Sequence, residues 1–326
     1  MKNIIRYILL LAIAFSYGQE LNLPVFTQYL ADNDFVISPT YAGIGDNFKL
    51  RANGLTQWVG IKNAPDNQSL YADFRISNRS GVGVSLYNDR NGNTRQKGMK
   101  FSFAHHLILD YKSKNYLSFG ISYNVNSFRI AIEDFETGEG IPINDPSITD
   151  DRSVTNHNFD AGVLFRYKIF YFSFNANNLL EKKDDGFLGP EPSKLLNYQV
   201  YTGLVLSSKD KYVEFEPSIF YQLFNSDKRS STDLNFKVRT FNKDGDYYWI
   251  GASYRFLNDQ FLKPLNIGPM AGIMKNRLYL AYSYQLTMND LSGYNSGTHM
   301  VTIGLDFLQG ISDCPCTQGT SWRKYN

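Results

Sequence analysis

The sequence predicts an all-β fold, a single-chain transmembrane antiparallel β-barrel of about 14 strands, and three observations predict it. Short stretches alternate apolar and polar residues, aromatic residues make up 15% of the chain, and the connections between stretches run alternately long and short. The clearest stretch is 117–126, where Leu117, Phe119, Ile121, Tyr123 and Val125 alternate with Ser118, Gly120, Ser122, Asn124 and Asn126. Successive side chains of a strand point to opposite faces, so one face meets hydrocarbon and the other meets water. Phe170, Phe172, Phe174 and Ala176 repeat the pattern, as do Leu278, Leu280, Tyr282 and Tyr284, and finally Val301, Ile303, Leu305 and Phe307. A soluble sandwich alternates too. The connection lengths separate the two.

Taken in order, residues 1–18 read as an export signal: Lys2 and Arg6 precede an apolar run over 8–15, and Ser16-Tyr17-Gly18 makes a small-residue cleavage site. The run is shorter than the roughly 20 apolar residues that a spanning helix needs. Removing its two cations from 33 Lys+Arg leaves 31 against 31 Asp+Glu, a balance with no electrostatic footprint for nucleic acid. Residues 19–46 are expected to form an N-terminal periplasmic plug, 47–307 the outer-membrane barrel and 308–326 a periplasmic tail. Pro39 breaks regular structure, Gly43 and Gly45 loosen the chain, and Phe26, Tyr29, Phe35 and Tyr41 are too apolar to be left in water. The periplasmic mouth of the barrel is the nearest place to bury them.

Strands are expected near 47–55, 68–76, 81–88, 97–109, 115–129, 158–167, 169–177, 197–207, 211–223, 232–240, 246–256, 265–274, 277–286 and 298–307. An even number places both termini in the periplasm. The periplasmic turns are then 77–80, 111–114, 167–168, 208–210, 241–245 and 275–276, all short. The outward loops are 56–67, 89–96, 130–157, 178–196, 224–231, 257–264 and 287–297, all longer. That sorting is what an outer-membrane barrel requires and a sandwich does not.

Strand parity also sends charges to the inner face. In the hairpin 211–223/232–240, Glu214 and Glu216 point inward beside Lys237 and Arg239, while Phe215 and Phe236 point to lipid. Arg51 and Asp73 fall on the same face, as do Lys49, Arg75, Lys100, Asp160, Arg166 and Arg255. Ion pairs that stiffen the lumen are the favoured reading over ligand selectivity.

Catalytic chemistry finds little support. His105 and His106 are strand neighbours facing opposite sides, so they do not share a metal ion, and parity sends His299 to the lipid side. The longest outward loop carries Glu133, Asp134, Glu136, Glu139, Asp145, Asp150 and Asp151, carboxylates that could ligate Ca²⁺, but they match no EF-hand or RTX spacing and a solvated surface loop is the favoured reading. No cofactor is expected. Cys314-Pro315-Cys316 leaves three alternatives: a redox-labile bridge, a bond to a partner, or a thiol pair. Trp58 and Phe187, on outward loops, are the apolar anchors expected to bind a partner.

Several motifs lie outside what barrel closure needs. Phe26-Thr27-Gln28-Tyr29 follows Pro24; then come Pro39-Thr40-Tyr41-Ala42-Gly43, Gln57-Trp58-Val59-Gly60 with Ala64-Pro65, and Gly297-Thr298-His299. In order and spacing they resemble the PorP/SprF family of Bacteroidetes outer-membrane proteins, with Ser38 and Thr40 replacing the family's usual Asn and Ala. The resemblance implies a non-enzymatic outer-membrane component of the type IX secretion system. It further implies a role in export or surface anchoring of a secreted cargo, such as a gliding adhesin, through its C-terminal sorting domain, together with other secretion components. The alternative is a plugged porin or a substrate-specific channel like the fatty-acid transporters, whose lumen should be apolar rather than charged.

Overall fold

The computed structural model describes residues 34–45, 48–130, 152–180, 195–226, 228–242, 245–261, 263–288, 290–307 and 314–317. Fourteen strands run in chain order: β1 (Phe48–Thr56), β2 (Asp66–Ser77), β3 (Ser80–Asn91), β4 (Thr94–Asp110), β5 (Asn115–Ile130), β6 (Arg152–Tyr167) and β7 (Phe170–Asn177) make the first half. The second half is β8 (Asn197–Leu204, resuming as Leu206–Ser207), β9 (Val213–Phe224), β10 (Ser230–Phe241), β11 (Tyr247–Leu257), β12 (Asn266–Lys275), β13 (Leu278–Thr287) and β14 (Thr298–Phe307). Each strand pairs antiparallel with its chain neighbours, and β1 pairs with β14 from Phe48↔Phe307 to Thr56↔His299, which closes the barrel. Closure leaves no sheet edge, the condition for a β-structure to span a bilayer. Among the described residues the only helices are short 3₁₀ turns.

The two faces differ as a barrel in lipid requires. On β5, Phe119 and Ile121 are 46% and 51% exposed, whereas Ser118, Ser122 and Asn124 are buried. Outward apolar residues recur on every side of the barrel, among them Phe103, Phe172, Phe236, Leu280 and Ile303. Val205 keeps the inward parity that Asn197, Gln199 and Tyr201 set on β8: its N–H donates to the Ile169 carbonyl (2.8 Å), and its side chain joins the cluster of Tyr171, Tyr201 and Phe220.

Two boundaries differ from expectation. The connection 89–96 is no loop: β3 and β4 pair out to Asn91↔Thr94 and leave a two-residue turn at Gly92 and Asn93. Similarly β6 starts at Arg152 instead of 158, because its pairing with β5 continues to Ile130↔Arg152. Polar sequence hides strand continuation beyond the bilayer, where no face has to be apolar and alternation lapses. The signal at 1–18, the acidic loop over 131–151, Phe187, and Phe26, Gln28 and Tyr29 lie outside the described residues.

Candidate functional site

Residues 34–45 enter the lumen and lie against the inner wall of β2 to β7. A row of small residues receives them. Gly81, Ala104, Gly120 and Gly162 are successive cross-strand partners from β3 to β6, and Asn175 on β7 continues the row. A Cβ on Gly81 would sit 2.3 Å from the Ala42 carbonyl oxygen, and one on Gly120 would sit 2.5 Å from the Thr40 nitrogen. The close approach is backbone against backbone, so any larger residue here would displace the segment. Phe35, Ile37, Tyr41 and Ala42 are thereby buried together with Ala104, Leu164, Tyr171, Tyr201, Val205 and Phe220.

Polar groups hold the segment at both ends of that row. Ser38 caps the 3₁₀ turn Pro39–Tyr41: its Oγ accepts from the Thr40 N–H (3.3 Å) and donates to Asn175 Oδ1 (3.4 Å). Asn175 Nδ2 in turn donates to the Ile37 carbonyl (3.2 Å). Fully buried His106 donates from Nε2 to the Ala42 carbonyl (3.0 Å), with Nδ1 bonded to the Ser118 hydroxyl (2.8 Å). Asp73 accepts from the Gly43 N–H (2.9 Å) and pairs with Lys49 (3.6 Å). Arg75 donates to the carbonyls of Gly43 (3.2 Å) and Gly45 (2.8 Å).

The C-terminal residues 314–317 meet the segment at the same place. The Thr317 carbonyl accepts from Arg75 (2.9 Å) and from the Gly45 N–H (2.9 Å), and the Cys316 carbonyl accepts from Arg166. Cys314 and Cys316 are bonded to each other as a disulfide. The 3₁₀ turn Pro315–Thr317 buries Cys316 and Thr317 completely. Both described chain ends are therefore latched by one arginine at the end of the barrel that carries the short turns.

Farther along the wall the charges pair across strands. Arg51 on β1 bonds Asp306 on β14 and lies over the Tyr279 ring, so a buried ion pair spans the closing seam. Glu216 pairs with Lys237 (2.9 Å) and accepts from the Tyr171 hydroxyl (3.0 Å), while Glu214 pairs with Arg239 (3.3 Å). Arg255 makes two bonds to Asp233 (2.7 and 3.1 Å), and Lys100 pairs with Asp160 (2.6 Å). A buried charge is tolerated only when paired, and these are.

At the opposite, loop-bearing end two of the motifs come together. The Val59 N–H donates to the Gly297 carbonyl (3.1 Å), and the Ser296 N–H donates to the Val59 carbonyl (2.7 Å). Gln57 closes its own loop by donating to the Pro65 carbonyl (2.8 Å). Trp58 is half-buried with a left-handed backbone (φ 46°), and Gly60 has φ 106°. The connection between Trp58-x-Gly60 and Gly297-Thr298-His299 was invisible in the sequence, where some 240 residues separate them. His106 was weighed only as a metal ligand, and Asn175 and the small-residue row were not singled out. Glycine at inward positions of three strands was the available signal.

The model of the family described as "Type IX secretion system membrane protein PorP/SprF" matches residues 18–305. No match is found among curated proteins. Solved structures of similar form include the Ralstonia pickettii toluene transporter TbuX, with TM-score 0.48 and 8% identity over 84% of this chain and 93% of that one. A Pseudomonas aeruginosa FadL homologue aligns with TM-score 0.43 and 10% identity over 80% and 89%. CdiB from Acinetobacter baumannii aligns with TM-score 0.45 and 9% identity over 80% of this chain, which spans 60% of the length of CdiB.

Proposed function

The chain belongs to the PorP/SprF family of type IX secretion system membrane proteins, an outer-membrane barrel, and from that premise we propose that it is a docking partner for a secreted cargo. The cargo, an adhesin with a C-terminal sorting domain, binds at the loop-bearing end, where it is exported or held at the cell surface. Residues 34–45 and the tail act as a plug that closes the periplasmic end. One observation carries the reading: the lumen is occupied at the end of the short turns by a segment held through Asp73, Arg75 and His106. A barrel so filled is poorly suited to bulk diffusion and well suited to presenting a rigid platform. Trp58, Gly60 and the bonded Val59 and Gly297 supply a fixed loop surface for contact.

Periplasmic components of the secretion machinery have the short turns and the C-terminal tail as their surface. The test is recovery of the tagged protein from detergent-solubilised outer membranes, with mass spectrometry of what accompanies it. A large secreted protein held through its C-terminal region supports docking. Deleting residues 131–150, which stops short of β6, should leave the barrel heat-modifiable on gels and release the cargo into the medium. Recovery of the barrel alone, with open-channel conductance in a planar bilayer, would instead favour a substrate-specific channel.

A further inference from the structure

We propose that the outer wall of β3, β4 and β5, at the loop-bearing end, binds the phosphate groups of a lipid in the leaflet that surrounds it. Strand register assembles the site. Arg90, Arg95 and Arg129 are successive cross-strand partners, Arg90↔Arg95 between β3 and β4 and Arg95↔Arg129 between β4 and β5. Two residues nearer the middle of the barrel, the next row on the same face is Asn88, Lys97 and Ser127, and the row after it is Leu86, Met99 and Val125. Lys97 is exposed with Met99 and Phe101, whereas Gln96 and Asn126 are buried on the lumen side, so the four cations point away from the lumen.

The cluster stands at the height of lipid headgroups. Exposed Leu86, Met99 and Phe101 end the apolar band below it. On the same outer face the Tyr123 hydroxyl is hydrogen-bonded to His157 Nδ1 (2.6 Å), with the rings 6.0 Å apart, an aromatic pair of the kind that marks a membrane–water boundary. Two residues of strand rise about 7 Å, and headgroups add about 5–7 Å to each side of the hydrocarbon. Lys97, one step above Met99, therefore lies among headgroups, and the arginine row above it reaches back down along flexible stems.

Charge selects the ligand. Followed from β2 to β6, the two polar rows hold these four cations and one carboxylate, Asp66, which lies across from Arg90 and accepts from Gln68 (2.9 Å). Arg90 also donates to Asn63 Oδ1 (3.2 Å). Like charges directly opposite one another on neighbouring strands repel, and an anion seated among them turns that repulsion into attraction. Guanidinium forks match phosphate oxygens two at a time. A phosphorylated lipid joins the rows: its acyl chains lie along Leu86, Met99 and Phe101, and its phosphate meets Lys97 and the arginines.

The site is tested by native mass spectrometry of the full chain released from nonionic detergent micelles, with bisphosphorylated lipid A as the probe. Dephosphorylated lipid A with the same acyl chains, and inorganic phosphate, are the comparisons. A lipid A adduct is expected, about tenfold weaker with the dephosphorylated lipid and about tenfold weaker in the triple variant Arg95→Gln, Lys97→Gln, Arg129→Gln. The triple variant Lys112→Gln, Lys168→Gln, Lys209→Gln removes as many exposed cations from the short turns at the other end and should bind as the parent does. Unchanged heat-modifiability certifies that both variant barrels are folded. No adduct, equal binding of the dephosphorylated lipid, inorganic phosphate bound as tightly as lipid A, an undiminished adduct in the first variant, or an equal loss in the second would overturn the assignment.

Discussion

The row Gly81, Ala104, Gly120 and Gly162 makes a sharp prediction for Gly120→Val. A Cβ there would lie 2.5, 2.7 and 2.9 Å from the Thr40 nitrogen, the Pro39 carbonyl carbon and the Thr40 Cα, all backbone atoms that cannot rotate away. Burying Phe35, Ile37 and Tyr41 contributes about 1.5–3 kcal/mol each. Hydrogen bonds to the charged Asp73 and Arg75 contribute about 1.5–3 kcal/mol apiece. Overpacking a close contact of this kind costs about 1–3 kcal/mol, and that cost comes off the free energy that holds the segment against the wall.

The assay is amide hydrogen exchange by mass spectrometry on peptides covering 34–45. Converted to an equilibrium, that cost should lower the segment's protection by about 5- to 150-fold, while the strands of the folded barrel keep theirs. Gly54 is the control, since a Cβ there meets nothing within 4 Å, and Gly54→Val should leave the segment protected. Equal protection of 34–45 in folded Gly120→Val and in the parent would refute the claim that the small-residue row seats the segment.

Three further outcomes follow from the same contacts. Arg75→Ala removes the donor shared by Gly43, Gly45 and Thr317, so exchange should rise together at 34–45 and at 314–317; a rise at one end alone would break the latch argument. Arg51→Met removes the guanidinium that Asp306 bonds across the closing seam and should cost about 3–5 kcal/mol, read as a lower temperature for loss of the compact gel form. An unchanged transition would show that the seam does not depend on the pair. Gly297→Ala puts a Cβ 2.5 Å from the Gln285 carbonyl oxygen at φ 83°, so it should free the 56–66 loop from Gly297 and speed proteolysis there; no change in cleavage would remove the bridge from the account.

Much of the barrel was legible because lipid and water impose opposite demands on alternate residues. Phe119 and Ile121 against Ser118 and Ser122 declare a strand, its faces and its place in a membrane without any partner being known. Strand number followed from the same pattern, and so did the sorting of connection lengths except after β3, where the outward connection is a two-residue turn. The ends of β3, β4 and β6 were less legible, since beyond the hydrocarbon a paired strand carries no alternation.

By itself, then, the sequence determined the class of fold, the inward parity of residues such as Glu214, Asp73 and Arg51, and the family. Tertiary structure decided which inward residues meet. Register placed Gly81, Gly120 and Gly162 in one row, and barrel closure brought Arg51 to Asp306 across 255 residues of chain. Curvature then carried Gly45 and Thr317 to the same arginine. Parity is a local property with period two, readable one strand at a time; contact across a lumen depends on stagger and closure, which belong to all fourteen strands at once.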